Sequence, residues 1–394
     1  MSKRKYQVNK EILKNQRHTQ YNNNQINLQI VLGRVVFHID FDYFYAQCEE
    51  VRKPDLKTKP VCVCVFSDRG GDSGAIATAN YTARKYGVKS GIPISFAKKR
   101  LENRADAEFL PVDFEYYSKM TEKAMKIMKE NADIFEYVGR DEAYLDVTKR
   151  SEENFKKASH LAQQIKNLIR AKLKLSCSIG VSPNKLISKI ASDYQKPDGL
   201  TIVEPNRIEQ FLEQLNIRVI PGIGKKTEQR FKEMNLETIQ DLKKIDVFTL
   251  NNEFGRKSGT YIFNAIRGIN DEPVKEKEES IQYSKIITLK KDSKNYEFLL
   301  ENLYELCKQV INVVKKNNKM FKSVGIYFVQ SDLTNKSKSK MLKNSTNSIE
   351  ELERNVEQLL QDGLENQTML IRRLGIRVAD LTEIKGQSDI TNYF

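Results

Sequence analysis

Three carboxylates stand where an acid has little structural reason to be. Asp40 ends an apolar run, Val35–Asp40, that reads as a strand, and Asp141-Glu142 occupy a tight turn between two short apolar segments, Ile134–Val138 and Ala143–Val147. Gathered at one place, three carboxylates repel one another, and each rises in pKa unless a cation joins them. Such a cluster suits two divalent ions about 3.5–4 Å apart, one activating an attacking hydroxyl and the other neutralising a leaving pyrophosphate. Taken singly, each acid reads equally well as a solvated turn residue. The donor inventory narrows the metal. There are three histidines (His18, His38, His160) and five cysteines, with no His–Cys pair at ligand spacing. Zinc and haem are thereby excluded, which leaves an oxygen-held ion such as magnesium, manganese or calcium.

Phosphates need basic and hydroxyl groups. Asn80-Tyr81-Thr82-Ala83-Arg84 opens a helix with Tyr81 and Arg84 three apart on one face, and Lys189 lies on a second short helix, Asn184–Ser192. An arginine fork with a lysine point charge is a common triphosphate clamp. Either residue alone also fits a solvated helix face.

The elements that must position these groups follow from patterning. The 394-residue, 45.6 kDa chain is 39% hydrophobic and 30% charged, enough for two to four globular domains. No apolar run is long enough to span a membrane, the polar N-terminus lacks a signal-peptide core, and five cysteines without a framework point to a reducing compartment. Residues 35–203 alternate strands and helices: strands at Val35–Asp40, Val61–Phe66, Ala75–Ala79, Ile134–Val138, Ala143–Val147 and Ser176–Val181, helices at Tyr43–Val51, Phe114–Asn131, Glu152–Lys174 and Asn184–Ser192. This predicts an α+β domain with an antiparallel sheet. Residues 204–270 read as short helices, and Asp271–Ser280 as a charged linker without an apolar face. From residue 282 the order is βαββαβ, its second helix opened by a capping box at Ser348 and Glu351. The net charge of +14 makes a polyanion the natural partner, nucleic acid before membrane. Seven basic residues against one acid in 1–34, and eight lysines against one acid in 315–343, carry thirteen of those charges.

Four blocks in order carry a family resemblance: Asp40-Phe41-Asp42-Tyr43-Phe44-Tyr45-Ala46, Ala75–Arg84, Asp141-Glu142-Ala143-Tyr144-Leu145-Asp146, and Ser182-Pro183-Asn184-Lys185 through Asp193. Together they resemble the Y-family translesion DNA polymerases of the DinB, or DNA polymerase IV, type, closest to archaeal members, over about residues 35–385. The resemblance implies a multidomain α+β right hand. Its parts would be a flexible basic arm (1–34), a ferredoxin-like palm with small fingers (35–203, fingers about 53–110), a helical thumb with a helix–hairpin–helix (204–270), the linker (271–281), a βαββαβ little finger (282–385) and a tail (386–394).

Carried over, the resemblance implies that Asp40, Asp141 and Glu142 bind two Mg²⁺, for which Mn²⁺ can substitute, with the Phe41 carbonyl assisting. Tyr81, Arg84, Lys189 and Thr78 would hold the incoming triphosphate, and Tyr45 would be the steric gate that makes the substrate a deoxynucleotide. Ala75 and Ala77 would roof the nascent pair loosely. Gly222 and Gly224, in Ile220–Lys225, would let backbone N–H groups meet a DNA phosphate. The 315–343 lysines would grip duplex phosphates. The last residues, Gln387, Ile390, Tyr393 and Phe394, match the peptide that binds a sliding clamp of the archaeal and eukaryotic (PCNA) type. Partners are then primer-template DNA, a dNTP and the clamp, with no membrane, and the protein is a monomer in an archaeal cytoplasm (or a nucleus, if the source is eukaryotic). One departure stands out: Gly139-Arg140 precede the acid pair where the family usually has Ser and an apolar residue. Arg140 would add positive charge beside the metal site. The expected activity is template-directed, low-fidelity DNA synthesis in lesion bypass, without proofreading. A non-catalytic DNA- and clamp-binding scaffold and a nucleotide cyclase with a palm-like domain are the rival readings.

Overall fold

The computed structural model describes residues 33–276, 280–365 and 367–384. It comprises two compact units, one of residues up to 63, 77–89 and 103–277, the other of 64–76, 90–102 and 278 onward. The chain begins with β1 (Val36–Phe41), α1 (Phe44–Arg52), β2 (Val61–Phe66), β3 (Gly74–Ala79), α2 (Tyr81–Arg84), α3 (Ile94–Arg100), β4 (Glu108–Pro111) and α4 (Phe114–Glu130). It continues with β5 (Ile134–Tyr137), β6 (Glu142–Asp146), α5 (Phe155–Leu173), β7 (Cys177–Ser182), α6 (Lys185–Tyr194) and β8 (Leu200–Ile202).

The first unit is organised by β1, the middle strand of a sheet ordered β5-β6-β1-β7-β8. Alternation along a strand sends successive side chains to opposite faces. Phe37, Ile39 and Phe41 enter a core with Ala143 and Leu145 of β6, Ile179 and Val181 of β7, and apolar residues of α4 and α5. His38 and Asp40 therefore face the other way, where α6 covers β7. Gly180 makes that cover possible, because a side chain there would collide with the Ser188 carbonyl and the Ser192 N–H. The expectation of a wholly antiparallel sheet is corrected: β8, not expected, runs parallel to β7. The crossover through α6 is the reason, since parallel neighbours need a helical connection. The predicted helix from Glu152 begins instead at Phe155, because Glu152 and Glu153 adopt left-handed φ of 51° and 56° and Asn154 caps the helix. β2, β3 and β4 form a separate three-stranded sheet in the order β3-β2-β4. All five cysteines are buried, and none forms a disulfide.

Five short helices follow, α7 (Ile208–Glu213), α8 (Lys225–Glu233), α9 (Ile239–Lys243), α10 (Val247–Phe254) and α11 (Arg256–Ala265), around Phe231, Ile239, Leu242, Leu250 and Ile262. The first part of the charged linker, residues 271–276, packs against the first unit. Val274 is buried against Val36 and Tyr144, Glu272 pairs with Lys185, and the Lys275 N–H donates to Glu136.

In the second unit, β9 (Gln282–Ser293), α12 (Tyr296–Lys316), β10 (Lys319–Gln330), β11 (Asn335–Thr346), α13 (Ile349–Leu364) and β12 (Ile371–Ala379) realise the βαββαβ order, with a short β13 (Thr382–Glu383) on β10. The sheet order is β11-β10-β12-β9, with core residues from both helices. The capping box is half made: Ser348 accepts from the Glu351 N–H, while its hydroxyl donates to Glu350. No described helix is long and apolar enough to cross a membrane.

Candidate active site

The hairpin between β5 and β6 delivers two acids to the end of β1. Asp40 pairs in register with Glu142, and the Phe41 N–H donates to the Asp141 carbonyl at 2.9 Å. One ring nitrogen of His38, one carboxylate oxygen of Asp40 and one of Glu142 lie within 4.8 Å of one another. Asp40 and Glu142 each already face a cation. The Lys196 ammonium lies 2.7 Å from Asp40 and 2.8 Å from Asp193, and the Lys189 ammonium 2.5 Å from Glu142.

The electrostatics follow from this crowding. Burial pushes Asp40 up to about 6, and only Lys196 opposes the rise appreciably. Burial and then the Glu142 charge raise Asp141. Glu142 goes the other way, down to about 2, chiefly through its hydrogen bond with His38 and, against the cost of burial, with Lys189. A set of hard carboxylate oxygens that draws two ammonium groups onto itself fits divalent cations of the magnesium class. His38 is held in turn by Ser192, at 2.7 Å from Nδ1, and stacks obliquely on Tyr144 with ring centroids 4.7 Å apart.

The residues expected to meet a triphosphate lie on the same unit. Asn80 caps α2, and the Arg84 guanidinium lies over the Tyr81 ring at 4.7 Å while donating to the carbonyls of Ala79 and Asp42. Thr78, on β3, is half-buried. Tyr45 on α1 stacks on Tyr117 with centroids 4.5 Å apart and forms a T-shaped pair with Phe114, centroids 6.1 Å apart.

Comparison with known proteins decides the family. A model of the impB/mucB/samB family matches residues 39–193, a model of the DNA polymerase-iota thumb domain matches 218–270, and a model of the impB/mucB/samB family C-terminal domain matches 280–391. The chain is 77% identical over 361 residues to DNA polymerase IV of Nitrosopumilus maritimus, covering 92% of this chain and 99% of that protein. It is 39% identical to DNA polymerase IV of Methanosarcina acetivorans, covering 92% and 100%. This chain belongs to the Y-family of DNA polymerases, DNA polymerase IV (DinB) type. A solved Y-family Dbh–Dpo4 chimera is similar at a TM-score of 0.83 and 33% identity, covering 89% of this chain and 99% of that one. An insertion ternary complex of Dbh DNA polymerase is similar at 0.65 and 34%, with the same coverage.

As a Y-family member the protein is a DNA-directed DNA polymerase of the translesion class, and neither the cyclase nor the scaffold reading is favoured. Several features of the polymerase site escaped the sequence reading. His38 is the first: it looks like one polar residue in an apolar strand, and only the cross-strand geometry makes it Glu142's partner. Lys196 is the second, four residues past the expected helix end. Asp42 is the third, 4% exposed and accepting from Ser176, Ser178 and the Asp198 N–H. Arg140, next to Asp141 in the chain, has its guanidinium over Phe114, and Lys196 and Lys189 are cations that lower Asp141.

At the thumb, Gly222 has φ +87° and Gly224 precedes α8 with no side-chain cap, so the first N–H groups of that helix lack a capping side chain. In the C-terminal domain, Lys336, Lys338 and Lys340 pair in register with Phe328, Ile326 and Val324, which face the helices. They therefore edge the helix side, whereas Arg377, opposite Gly325, and Arg373, opposite Thr288, belong to the open face. The tail residues Gln387, Ile390, Tyr393 and Phe394, and the N-terminal arm, lie outside the described residues.

Proposed function

We propose that Asp40, Asp141 and Glu142, with the Phe41 carbonyl, hold two Mg²⁺ ions (Mn²⁺ substituting), and that the chain extends a primer 3′-end on template DNA from dNTPs, across lesions and without proofreading. The observation that carries this is the register pair Asp40–Glu142 with Asp141 beside it, each flanking acid already paired with a lysine. Bound, the ions would supply the charge neutralisation that the attacking and leaving oxygens require. The chain's own residues do the rest. Lys189, which pairs with Glu142 here, would turn to a triphosphate oxygen once that carboxylate holds an ion. Tyr81, Arg84 and Thr78 hold the remaining phosphate oxygens, and Tyr45 fills the space a 2′-hydroxyl needs. Gly222 and Gly224 offer α8 N–H groups to a DNA phosphate, the C-terminal sheet holds duplex backbone, and Gln387, Ile390, Tyr393 and Phe394 engage a PCNA-type clamp from a monomeric polymerase. The division into arm, palm, fingers, thumb, linker, little finger and tail is the matching reading of the domains.

Primer extension on an undamaged template with Mg²⁺ and single dNTPs, wild type beside Asp141→Ala/Glu142→Ala, tests the proposal. Distributive extension with misinsertion, lost in the double variant, is expected. Extension that survives the double substitution would overturn the metal assignment.

A further inference from the structure

We infer that Arg140 is a positioning residue for sugar discrimination: it holds Phe114 against Tyr45 and so fixes the ring that excludes a ribose 2′-hydroxyl. This rests on the reading of Tyr45 as the gate.

Tyr45 is held from two directions. Beneath it Tyr117 stacks at 16° between planes, and Tyr117 is fully buried with its hydroxyl donating to Glu49 at 2.8 Å, so that platform is rigid. The second contact is Phe114, edge-on at 80°. Phe114 is a weak support by itself. It is the first residue of α4 and 45% exposed, with no preceding helical turn to pack it.

Arg140 supplies what is missing. Its guanidinium carbon lies 5.0 Å from the Phe114 ring centroid, within cation–π range, and one terminal nitrogen reaches the Phe114 carbonyl at 3.4 Å. The Arg140 carbonyl also accepts from Thr121 Oγ1 at 2.8 Å, two turns along the same helix. The acid-bearing hairpin is thus fastened to the start of α4 through both the side chain and the backbone of one residue. Arg140 and Asp141 are the charges that bear most on the Tyr45 hydroxyl after burial, so the gate and the catalytic acids meet at this turn. An apolar residue at 140 could fill space beside Phe114, but it could not attract the ring face and the carbonyl together.

Single-nucleotide insertion kinetics with dNTP and the matching rNTP test the inference on wild type, Arg140→Met, Arg140→Lys, Phe114→Ala, Arg140→Met/Phe114→Ala and Tyr45→Ala. Arg140→Met should lower the dNTP/rNTP ratio of kcat/KM about two- to fivefold, the factor that ~0.5–1 kcal/mol of cation–π attraction represents. Arg140→Lys should recover part of the ratio, and Arg140→Met should add nothing once Phe114 is already alanine. If Tyr45→Ala leaves the ratio intact, the gate reading itself fails. If Tyr45→Ala collapses the ratio while Arg140→Met leaves it untouched, or changes only the Mg²⁺ requirement, the gate stands and the Arg140 inference is overturned.

Discussion

Replacing Asp40 with asparagine is expected to abolish extension and yet stabilise the metal-free protein. Asp40 loses its proton at about 6 in the folded chain, against an ordinary value of 3.8, because burial disfavours its charge more than Lys196 favours it. The sign follows from linkage. A raised folded pKa stabilises the fold below pH 3.8, and that contribution is lost as pH rises towards about 6. At pH 7.5 the ionised carboxylate therefore costs the metal-free fold about 3 kcal/mol, at 1.36 kcal/mol per pH unit. Asparagine is a neutral near-isostere and removes that cost. The gain corresponds to a rise in Tm of about 6–12 °C, at roughly 2–4 °C per kcal/mol for a unit of this size. Thermal unfolding of wild type and Asp40→Asn in EDTA, at pH 7.5 and again below pH 4, is the assay. The advantage should be present at pH 7.5 and vanish at the lower pH, where both side chains are neutral. Saturating Mg²⁺ should restore the wild type and do little for the variant. A variant no more stable than wild type at pH 7.5, or an advantage unchanged below pH 4, would refute the reasoning.

Two further substitutions probe the scaffold. Gly180→Ala places a methyl group against the backbone of Ser188 and Ser192, so α6 must lift from β7; a loss of about 1–3 kcal/mol in urea unfolding, with a higher KM for dNTP as Lys189 moves away, is expected. Asp42→Ala leaves the Ser178 hydroxyl and the Asp198 N–H without their acceptor. Chemical denaturation should register about 2–4 kcal/mol of destabilisation at neutral pH.

Much of this protein was decided within short stretches of sequence. The alternation of Phe37, Ile39 and Phe41 with His38 and Asp40 already assigns two faces to one strand, and only the burial of the first set is needed to send Asp40 to the other side. Acids next to each other at a two-strand turn travel together wherever the hairpin goes, so Asp141 and Glu142 were legible as a pair. The βαββαβ order was readable for the same reason, because apolar periodicity switches between two and 3.6 residues at each boundary.

What the sequence could not decide are relations between residues far apart in the chain. His38 and Glu142 are 104 positions apart, and Lys196 reaches Asp40 across 156; no local pattern marks them, because each distance is set by strand order and by how closely α6 lies on β7. Arg140 shows the limit well. Its neighbours in sequence are the candidate catalytic acids, so proximity along the chain argued for a charge beside the proposed metal site. That its guanidinium also meets the Phe114 ring and carbonyl depends on where the start of α4 packs, which no local pattern shows. The face taken by the lysines of β11 was not legible for the same reason, since which face of an edge strand a side chain occupies depends on the register with β10, and register exists only once the strands have paired.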